Sequence, residues 1–422
     1  MKSTEMSKST PLNRFDVDVV VVGAGPGGCM LSYLLARSGV KTALLERHNS
    51  LDREFRGYFF QPLVLKLFDQ LGLLEDILRI PHERVDMFKF VDHGKTLFEV
   101  RFDELEPPYN YGLNIPQPPL LEYFIQQSSR FPNFTYFGGT TAKNLIKRGD
   151  SVHGILAINQ EEEIELHSRL VVGADGRYST IRKLADISQT MDKFEFDFVW
   201  FDMPKALGKD YPLQIKIEDE GMLIYIPKGE DQVQVGWVIK KKTYPELVKK
   251  GIDDFIRTLI VIEPDLQDVL PYHLKSFKQC SVLDIQVGMT DTWVRDGLLL
   301  LGDAAHIASP FSGQGNSLAI QDAVIAHDSI MKAMTTQGSG VLQESFLKNY
   351  ELYRKPAVAE IQRIQAMQAR LIAIKNPTFL GLRRTVAPVA RRTSLFKKMR
   401  DKIAMGVQKI EVNTSFFLSQ ES

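Results

Sequence analysis

The 422-residue sequence predicts an α/β fold: a parallel-sheet domain interleaved with an antiparallel-sheet domain, followed by C-terminal helices. Three observations predict it. Residues 17–46 read as an apolar strand, a glycine turn, a helix and a second strand. The middle of the chain breaks into short alternating segments split by Gly, Pro and acidic turns. Two later apolar runs, ending near Val172 and Leu301, each deliver an aspartate beside a glycine. Buried parallel strands read as continuous apolar runs, whereas half-wet antiparallel strands alternate.

The opening segment is the most specific of the three. Val17-Asp-Val-Val-Val-Val22 is the strand, Gly23-Ala-Gly25-Pro-Gly27-Gly28 the turn, and a helix follows to about Ser38. Residues 41–45 form the second strand and end in Glu46. This order is the dinucleotide-binding fingerprint, so the parallel domain is Rossmann-like. Gly23 permits the tight turn, Gly25 lets a pyrophosphate approach the backbone, and Gly28 lets helix and strand pack closely. The helix start offers N–H groups and a positive dipole end to phosphates. Glu46 can accept hydrogen bonds from both hydroxyls of an adenosine ribose.

After residue 50 comes a loop with Arg53 and Arg56, then a helix over 61–78 with leucines at helical spacing. Residues 87–102 alternate like paired strands, 116–131 read as a helix after Gln117, and 133–137 and 161–172 as strands with a turn near Arg148-Gly-Asp150. Residues 194–203, 213–218, 222–227 and 232–240 predict the antiparallel sheet. A helix follows over 245–259, a strand at 297–301, a glycine-rich loop with a helix to Met334, and a long amphipathic helix pair over 341–375.

Composition narrows the function. The chain is 44% hydrophobic and 25% charged, enough for a large core. Its 52 basic and 52 acidic side chains cancel, so no global field steers it to nucleic acid. The two cysteines, Cys29 and Cys280, do not predict a disulfide, and a reducing cytoplasm fits. Residues 1–16 read as a flexible polar leader, not a signal peptide. No apolar run reaches membrane-spanning length. HxH, HExxH and CxxC patterns are absent, so no metal site is expected. Ser179 and Ser312 lack a nucleophile elbow. His306 reads more readily as a supporting or solvent-facing residue than as a catalytic acid/base, and His48, His82 and His93 as surface or loop residues.

Two further motifs sharpen the picture. Val171-Val-Gly173-Ala174-Asp175-Gly176 continues through Ser179 to Arg182. Leu298-Leu-Leu-Leu-Gly302-Asp303-Ala304-Ala305-His306 is followed by Pro310-Phe-Ser-Gly313-Gln314-Gly315-Asn316. Each places a carboxylate at the C-terminal edge of a strand, where ligands bind in open α/β sheets. Asp303 could hold a sugar-alcohol hydroxyl. Gly313 and Gly315 would let backbone pass close to a flat ring, with the following helix aiming its positive end at it.

With these three motifs in this order, the chain resembles the class A flavoprotein monooxygenases of the para-hydroxybenzoate hydroxylase type, over about residues 15–372. The resemblance implies the cofactor FAD, with NAD(P)H as a transient co-substrate and O2 as oxidant. It implies hydroxylation of an aromatic or polyketide-like small molecule through a flavin C4a-hydroperoxide. Gly23, Gly25 and Gly28 would hold the FAD pyrophosphate and Glu46, with Arg47 beside it, the adenosine end. Arg56 and Gln117 would contact the flavin side. Asp175 would lie near both FAD and nicotinamide, and Asp303 at the ribityl chain. Pro310, Gly313, Gly315 and Asn316 would line the isoalloxazine, with the Pro310 carbonyl near substrate. Ser312 stands where the family often has glycine, and Asn316 comes one place early.

On this reading, segments 15–85, 105–190 and 280–340 form the FAD-binding domain, 86–104 and 191–279 the substrate domain, and 341–422 a helical region. Tyr225 and Trp237 are candidate substrate-wall residues, with an ordinary sheet core as the alternative. Between residues 376 and 410 lie nine Lys/Arg and one acid, Asp401. Interleaved apolar residues give two readings: a basic helix in weak peripheral contact with an anionic membrane, or, as favoured, a helix packed on the FAD domain. Residues 411–422 read as mobile. Rival functions are an FAD-dependent reductase, a halogenase on the same fold, and a non-catalytic FAD-binding protein. The halogenase Trp-x-Trp-x-Ile-Pro signature is not found around Trp237.

Overall fold

Four runs of consecutive buried aliphatic residues build the central sheet, because only strands covered on both faces can bury every side chain. The computed structural model describes residues 13–52, 59–229, 231–310, 313–372 and 392–419. Across the sheet the strands run Val294–Arg295, Leu298–Leu300, Leu170–Gly173, Val19–Val22, Thr42–Leu45 and Phe134–Phe137. All neighbours are parallel except the edge pair Val294–Arg295 with Leu298–Leu300. Val21 stands opposite Leu44 on one side and Val172 on the other, and Val172 opposite Leu299. This register aligns the C-terminal ends of three strands, and with them Gly23, Ala174 and Leu301.

Helices Pro26–Arg37, Gly315–Gln337 and Glu344–Ile372 pack around this sheet. The interposed seven-stranded sheet runs Cys280–Leu283, Phe196–Pro204, Gln232–Lys240, Gly221–Pro227, Gln214–Glu218, Met87–Asp92 and Lys95–Arg101. Its neighbours are antiparallel except Gln214–Glu218 with Met87–Asp92. Strand side chains alternate between faces, so the sheet sorts its aromatics into two cores. Val199, Phe201, Tyr225, Val235 and Trp237 meet Phe255 and Leu259 of the helix Ile252–Ile262. Phe198, Trp200, Ile215 and Ile224 face the other way, toward Phe59, Phe102, Ala369 and Ala404.

Several local expectations change. Residues 61–78 form two helices, Pro62–Gln70 and Leu74–Ile77, because Gly72 takes a φ of 71° that ends the first. Gly251, at φ 93°, likewise splits the next helix into Tyr244–Lys250 and Ile252–Ile262. The expected helix pair after residue 341 is one continuous helix, Glu344–Ile372, that runs through Pro356. Asn13–Asp16, expected in the leader, is a strand parallel to Glu162–His167. Among the described residues no helix is long and apolar enough to cross a membrane.

The C-terminal residues, expected to be mobile, are tied down over the described span. The Val412 N–H donates to Gln70 Oε1, Asn413 Nδ2 to Asp328, and the Leu418 N–H to the Arg37 carbonyl. The Arg37 guanidinium lies 4.3 Å from the Phe417 ring centre. Beneath this strap His327 is 1% exposed, 2.8 Å from Ser38 Oγ. Burial pushes its pKa down from 6.5 to about 4, against the nearby Asp328 charge. A histidine depressed in the fold is stabilising above its unfolded value, and that contribution is lost as pH falls from 6.5 toward 4. The expected loss is roughly 2 kcal/mol between pH 7 and pH 5. Urea denaturation at both values checks it, and His327→Gln should flatten the difference.

Candidate active site

The three glycine- and aspartate-bearing segments converge on one crevice. A Cβ on Gly23, whose φ is 108°, would lie 2.5 Å from the Ala174 carbonyl oxygen. One on Gly28 would lie 2.0 Å from the Gly23 oxygen, and one on Gly27 2.4 Å from Leu301 Cδ2. These glycines are needed by the protein's own backbone and neighbours. Gly25 and Gly315 differ: among the described residues, no atom beyond their chain neighbours and own helix backbone lies within 4 Å of a Cβ at either. Both stand at the start of helices, Pro26–Arg37 and Gly315–Gln337, where among the described residues no N-cap side chain makes a capping hydrogen bond. Two uncapped helix starts facing open space suit an anionic or electron-rich ligand.

The acids divide into two kinds. Glu46 is 3% exposed; Oε2 accepts from the Ala24 N–H at 3.0 Å and Oε1 from the His48 N–H at 3.1 Å. It braces the glycine turn through these two backbone hydrogen bonds. Asp303 lies partly open, its side chain 27% exposed, with Oδ2 3.7 Å from Arg177 Nη2. Asp175 departs from expectation. Its Oδ1 accepts from Ser179 Oγ at 2.5 Å, and its Oδ2 from the Thr180 and Ile181 N–H groups at 2.6 and 3.1 Å. The carboxylate is turned into the start of the short helix Thr180–Leu184 rather than toward a ligand.

Around the glycine loop, Gln117 Nε2 donates to Asn316 Oδ1 at 3.0 Å, joining the starts of two helices. The Pro310 carbonyl accepts the Gly313 N–H at 3.1 Å, so one of its lone pairs is spent inside the turn. Gly313, at φ 60°, faces Phe59, 3.1 Å from where its Cβ would be. Arg47 is exposed and donates to His48 Nε2. Arg53, Arg56 and Ser312 lie outside the described residues.

A family model described as an FAD binding domain matches residues 16–364. The chain belongs to this FAD-binding family. It is 34% identical over 408 residues to 6-methylpretetramide 4-monooxygenase of Streptomyces rimosus, covering 96% of each chain. Among solved structures it resembles p-nitrophenol 4-monooxygenase PnpA of Pseudomonas putida DLL-E4, with a TM-score of 0.80 at 16% identity. That match covers 94% of this chain and 100% of the other. OxyS anhydrotetracycline hydroxylase of S. rimosus gives a TM-score of 0.76 at 22% identity, over 94% and 77%. These two likenesses show the fold. The family match and the full-length relative make the protein an FAD-dependent monooxygenase.

Sequence reasoning missed how this flavoprotein braces its Gly302-Asp303 turn. Asp322, fully buried, accepts from the Gly302 N–H at 3.2 Å, pairs with His306 Nε2 at 2.6 Å and with Arg354 Nε at 2.8 Å. One carboxylate thus ties the turn to two helices. Burial would raise the Asp322 pKa, but the charges and hydrogen bonds of His306 and Arg354 outweigh it and hold it below the ordinary value. His306 is 1% exposed under Trp293, so of the two expected placements it takes the supporting one and not the solvent-facing one. Gln365 makes a reciprocal pair with the Ser309 backbone, at 3.1 and 2.9 Å, just ahead of Pro310.

Tyr225 and Trp237, expected as pocket wall, face away from the flavoprotein's crevice. Register explains it: Tyr225 stands opposite Val235, and both point to the helix-covered core, whereas Ile224 stands opposite Gly236 on the inner face. The Tyr225 hydroxyl donates to Glu263 at 3.5 Å within that core. The inner wall is Phe198, Trp200 and Ile224. A Cβ on Gly236 would meet the Trp200 ring at 2.6 Å, so glycine there lets the indole lie against the sheet.

Proposed function

We propose that this monooxygenase hydroxylates a flat, multi-ring aromatic of the polyketide kind, drawing electrons from NAD(P)H and oxygen from O2. The observation that carries the reading is the full-length relationship to an enzyme named for a pretetramide. The inner wall of the interposed sheet agrees with it. Phe198 and Trp200 meet edge to face with ring centres 5.5 Å apart, beside Ile224, and Phe59 stands between Gly313 and Phe102. Such a wall favours planar apolar rings and keeps water from them.

When bound, FAD supplies electron relay from NAD(P)H and activation of O2. In this reading the chain binds and orients. Gly25 and the Pro26–Arg37 helix start receive the pyrophosphate, Glu46 the adenosine ribose, and Asp303 the ribityl region. Gly313, Gly315 and Asn316 back the ring, and Gln117 fixes Asn316. Arg47 and Arg56 remain proposed cofactor contacts, and Pro310 a substrate contact. Segments 15–85, 105–190 and 280–340 serve the cofactor, and 86–104 with 191–279 the substrate. Of the basic segment, residues 376–391 lie outside the described residues; what supports the packed-helix reading over the membrane one is the packing on the inner face of the described helix Ser394–Met405. Its Ala404 is buried there, Arg400 pairs with Glu104 and Asp401, and Lys402 with Glu360. The proposed location is the cytoplasm.

The purified protein should be yellow. With polycyclic phenols it should couple NAD(P)H oxidation to O2 uptake and yield a product heavier by one oxygen atom. NAD(P)H use without O2 uptake would instead mark a reductase.

A further inference from the structure

The inner wall of the interposed sheet does not stop at the sheet's edge. Strands Phe196–Pro204 and Cys280–Leu283 continue through residues 194–195 and 284–285 into Gln189–Lys193 and Gln286–Thr290. These two belong to a small sheet whose third strand is His306–Ile307. Between the two sheets the ladder is broken. Phe198 stands opposite Leu283 and Lys193 opposite Gln286, so residues 194–197 on one strand face only 284–285 on the other. Extra residues on one side bend a two-stranded ribbon, as a β-bulge does.

Lys241, just past the neighbouring strand Gln232–Lys240, stitches this bend. Its N–H donates to the Glu195 carbonyl at 2.8 Å. Its Nζ donates to Asp197 at 3.1 Å, to Asp284 at 2.5 Å and to the Ile285 carbonyl at 3.0 Å. An ammonium has three donors, and all three are spent across the two chain crossings. Lys242, at φ 66°, adds its N–H to Asp197 at 2.9 Å. Burial would lower the Lys241 pKa, but the hydrogen bonds and charges of Asp284 and Asp197 outweigh it and hold it above the ordinary value.

Each arm of the ribbon carries one half of the crevice. On one side, Phe198 and Trp200 begin the inner wall, and Phe194, Phe196 and Ile285 of the bend pack into the same cluster. On the other, Gly288 stands opposite Ile307 and Met289 opposite His306. Gln362 Nε2 clips this pairing by donating to the Gly288 and Ile307 carbonyls, both at 3.0 Å. The strand His306–Ile307 leads straight into Ser309 and Pro310, at the head of the glycine loop. The angle at the bend therefore sets how far the wall stands from that loop.

We propose that Lys241 is a positioning residue for the oxygen transfer: by joining both chain crossings at the bend, it fixes the separation of the substrate wall and the glycine loop. The proposal rests on the function proposed above. A ring carbon displaced by about 1 Å from its reacting partner can lose about a hundredfold in rate. NADPH then passes its two electrons to O2 alone, giving H2O2 in place of a hydroxylated ring and water.

The test compares wild-type holoprotein with Lys241→Met, Lys241→Arg and, as a control, the exposed neighbour Lys240→Met. NADPH, O2 and 2-naphthol as probe phenol are supplied. In Lys241→Met, kcat for naphthol hydroxylation should fall at least about tenfold while its dissociation constant stays within about threefold. H2O2 formed per NADPH should rise to match. Without naphthol, hydrogen exchange should quicken at residues 304–310, one strand beyond the bend, as well as at 194–201. Lys241→Arg, which keeps a cation for both acids, should recover much of the coupling, and Lys240→Met should match wild type. If Lys241→Met does not fold, Asp284→Ala carries the test, since that side chain is 40% exposed and its loss frees one crossing. Faster exchange confined to residues 194–197 and 284–285, with coupling unchanged, makes Lys241 a local tie and overturns the proposal. Wild-type protein that ignores 2-naphthol counts against the aromatic reading alone, because the exchange comparison runs without it and still decides this inference.

Discussion

Gly25→Val protein should purify folded and colourless. The backbone at Gly25 is extended, with φ −80° and ψ 179°, a conformation valine adopts readily. Among the described residues a Cβ there meets nothing within 4 Å, so the variant creates no clash with them. The cost to folding is then that of a poor helix N-cap, at most about 1 kcal/mol. The same branched side chain fills the space at the uncapped helix start, where a pyrophosphate must approach the backbone. FAD affinity should fall at least a hundredfold, about 3 kcal/mol. Flavin content per chain and the melting curve of stripped protein check the two halves separately. Gly23→Ala is the control. There φ is 108° and the Cβ would lie 2.5 Å from the Ala174 oxygen, so folding itself should suffer. Stoichiometric FAD on the Gly25→Val protein would remove the ligand from this helix start.

The contrast between these glycines shows what the sequence could and could not disclose. Strand, turn and helix at residues 17–38 are local, and their pattern was legible because each residue's role depends on its near neighbours. The aspartate-glycine turns were legible for the same reason: an apolar run ending in a polar pair marks a strand edge. The aim of each carboxylate was not. Asp175 and Asp303 look alike in sequence. The first is captured by N–H groups of its own following helix, while the second lies partly open beside Arg177. Tyr225 and Trp237 were identified as sheet residues, but a period of two cannot say which face meets which partner. That is decided by the helix Ile252–Ile262, whose apolar side needed a cover. The breaks at Gly72 and Gly251 depend on positive φ values that the helical spacing of the surrounding residues concealed.

The second large effect lies at Asp322, where three distant residues meet and no spacing rule joins them. Asp322→Asn should destabilise the protein by roughly 3–5 kcal/mol, because it strands the Arg354 guanidinium, 1% exposed, without its counter-charge. The amide oxygen can still accept at one of the two positions, but the NH2 group at the other is a donor and faces either Arg354 or the Gly302 and His306 side, so the three cannot be served together. Chemical denaturation measures the loss, and a second readout separates position from stability. Freed from Asp322, the Gly302 N–H no longer fixes the turn that carries Asp303, so the surviving folded protein should also hold FAD less tightly. The pair Asp322→Leu with Arg354→Met removes both charges and should recover much of the stability, since a buried ion pair replaced by apolar volume is often neutral. It should not recover FAD affinity, because the acceptor for Gly302 is still missing. The acid limb adds a sign. The Asp322 pKa is lowered in the fold, so its contribution is complete above its ordinary value of 3.8 and is lost as pH falls through the lower folded value. Wild-type protein should therefore lose this increment in strong acid, and the double variant should not. Equal acid sensitivity in the two would show that Asp322 is not a charged keystone of the turn.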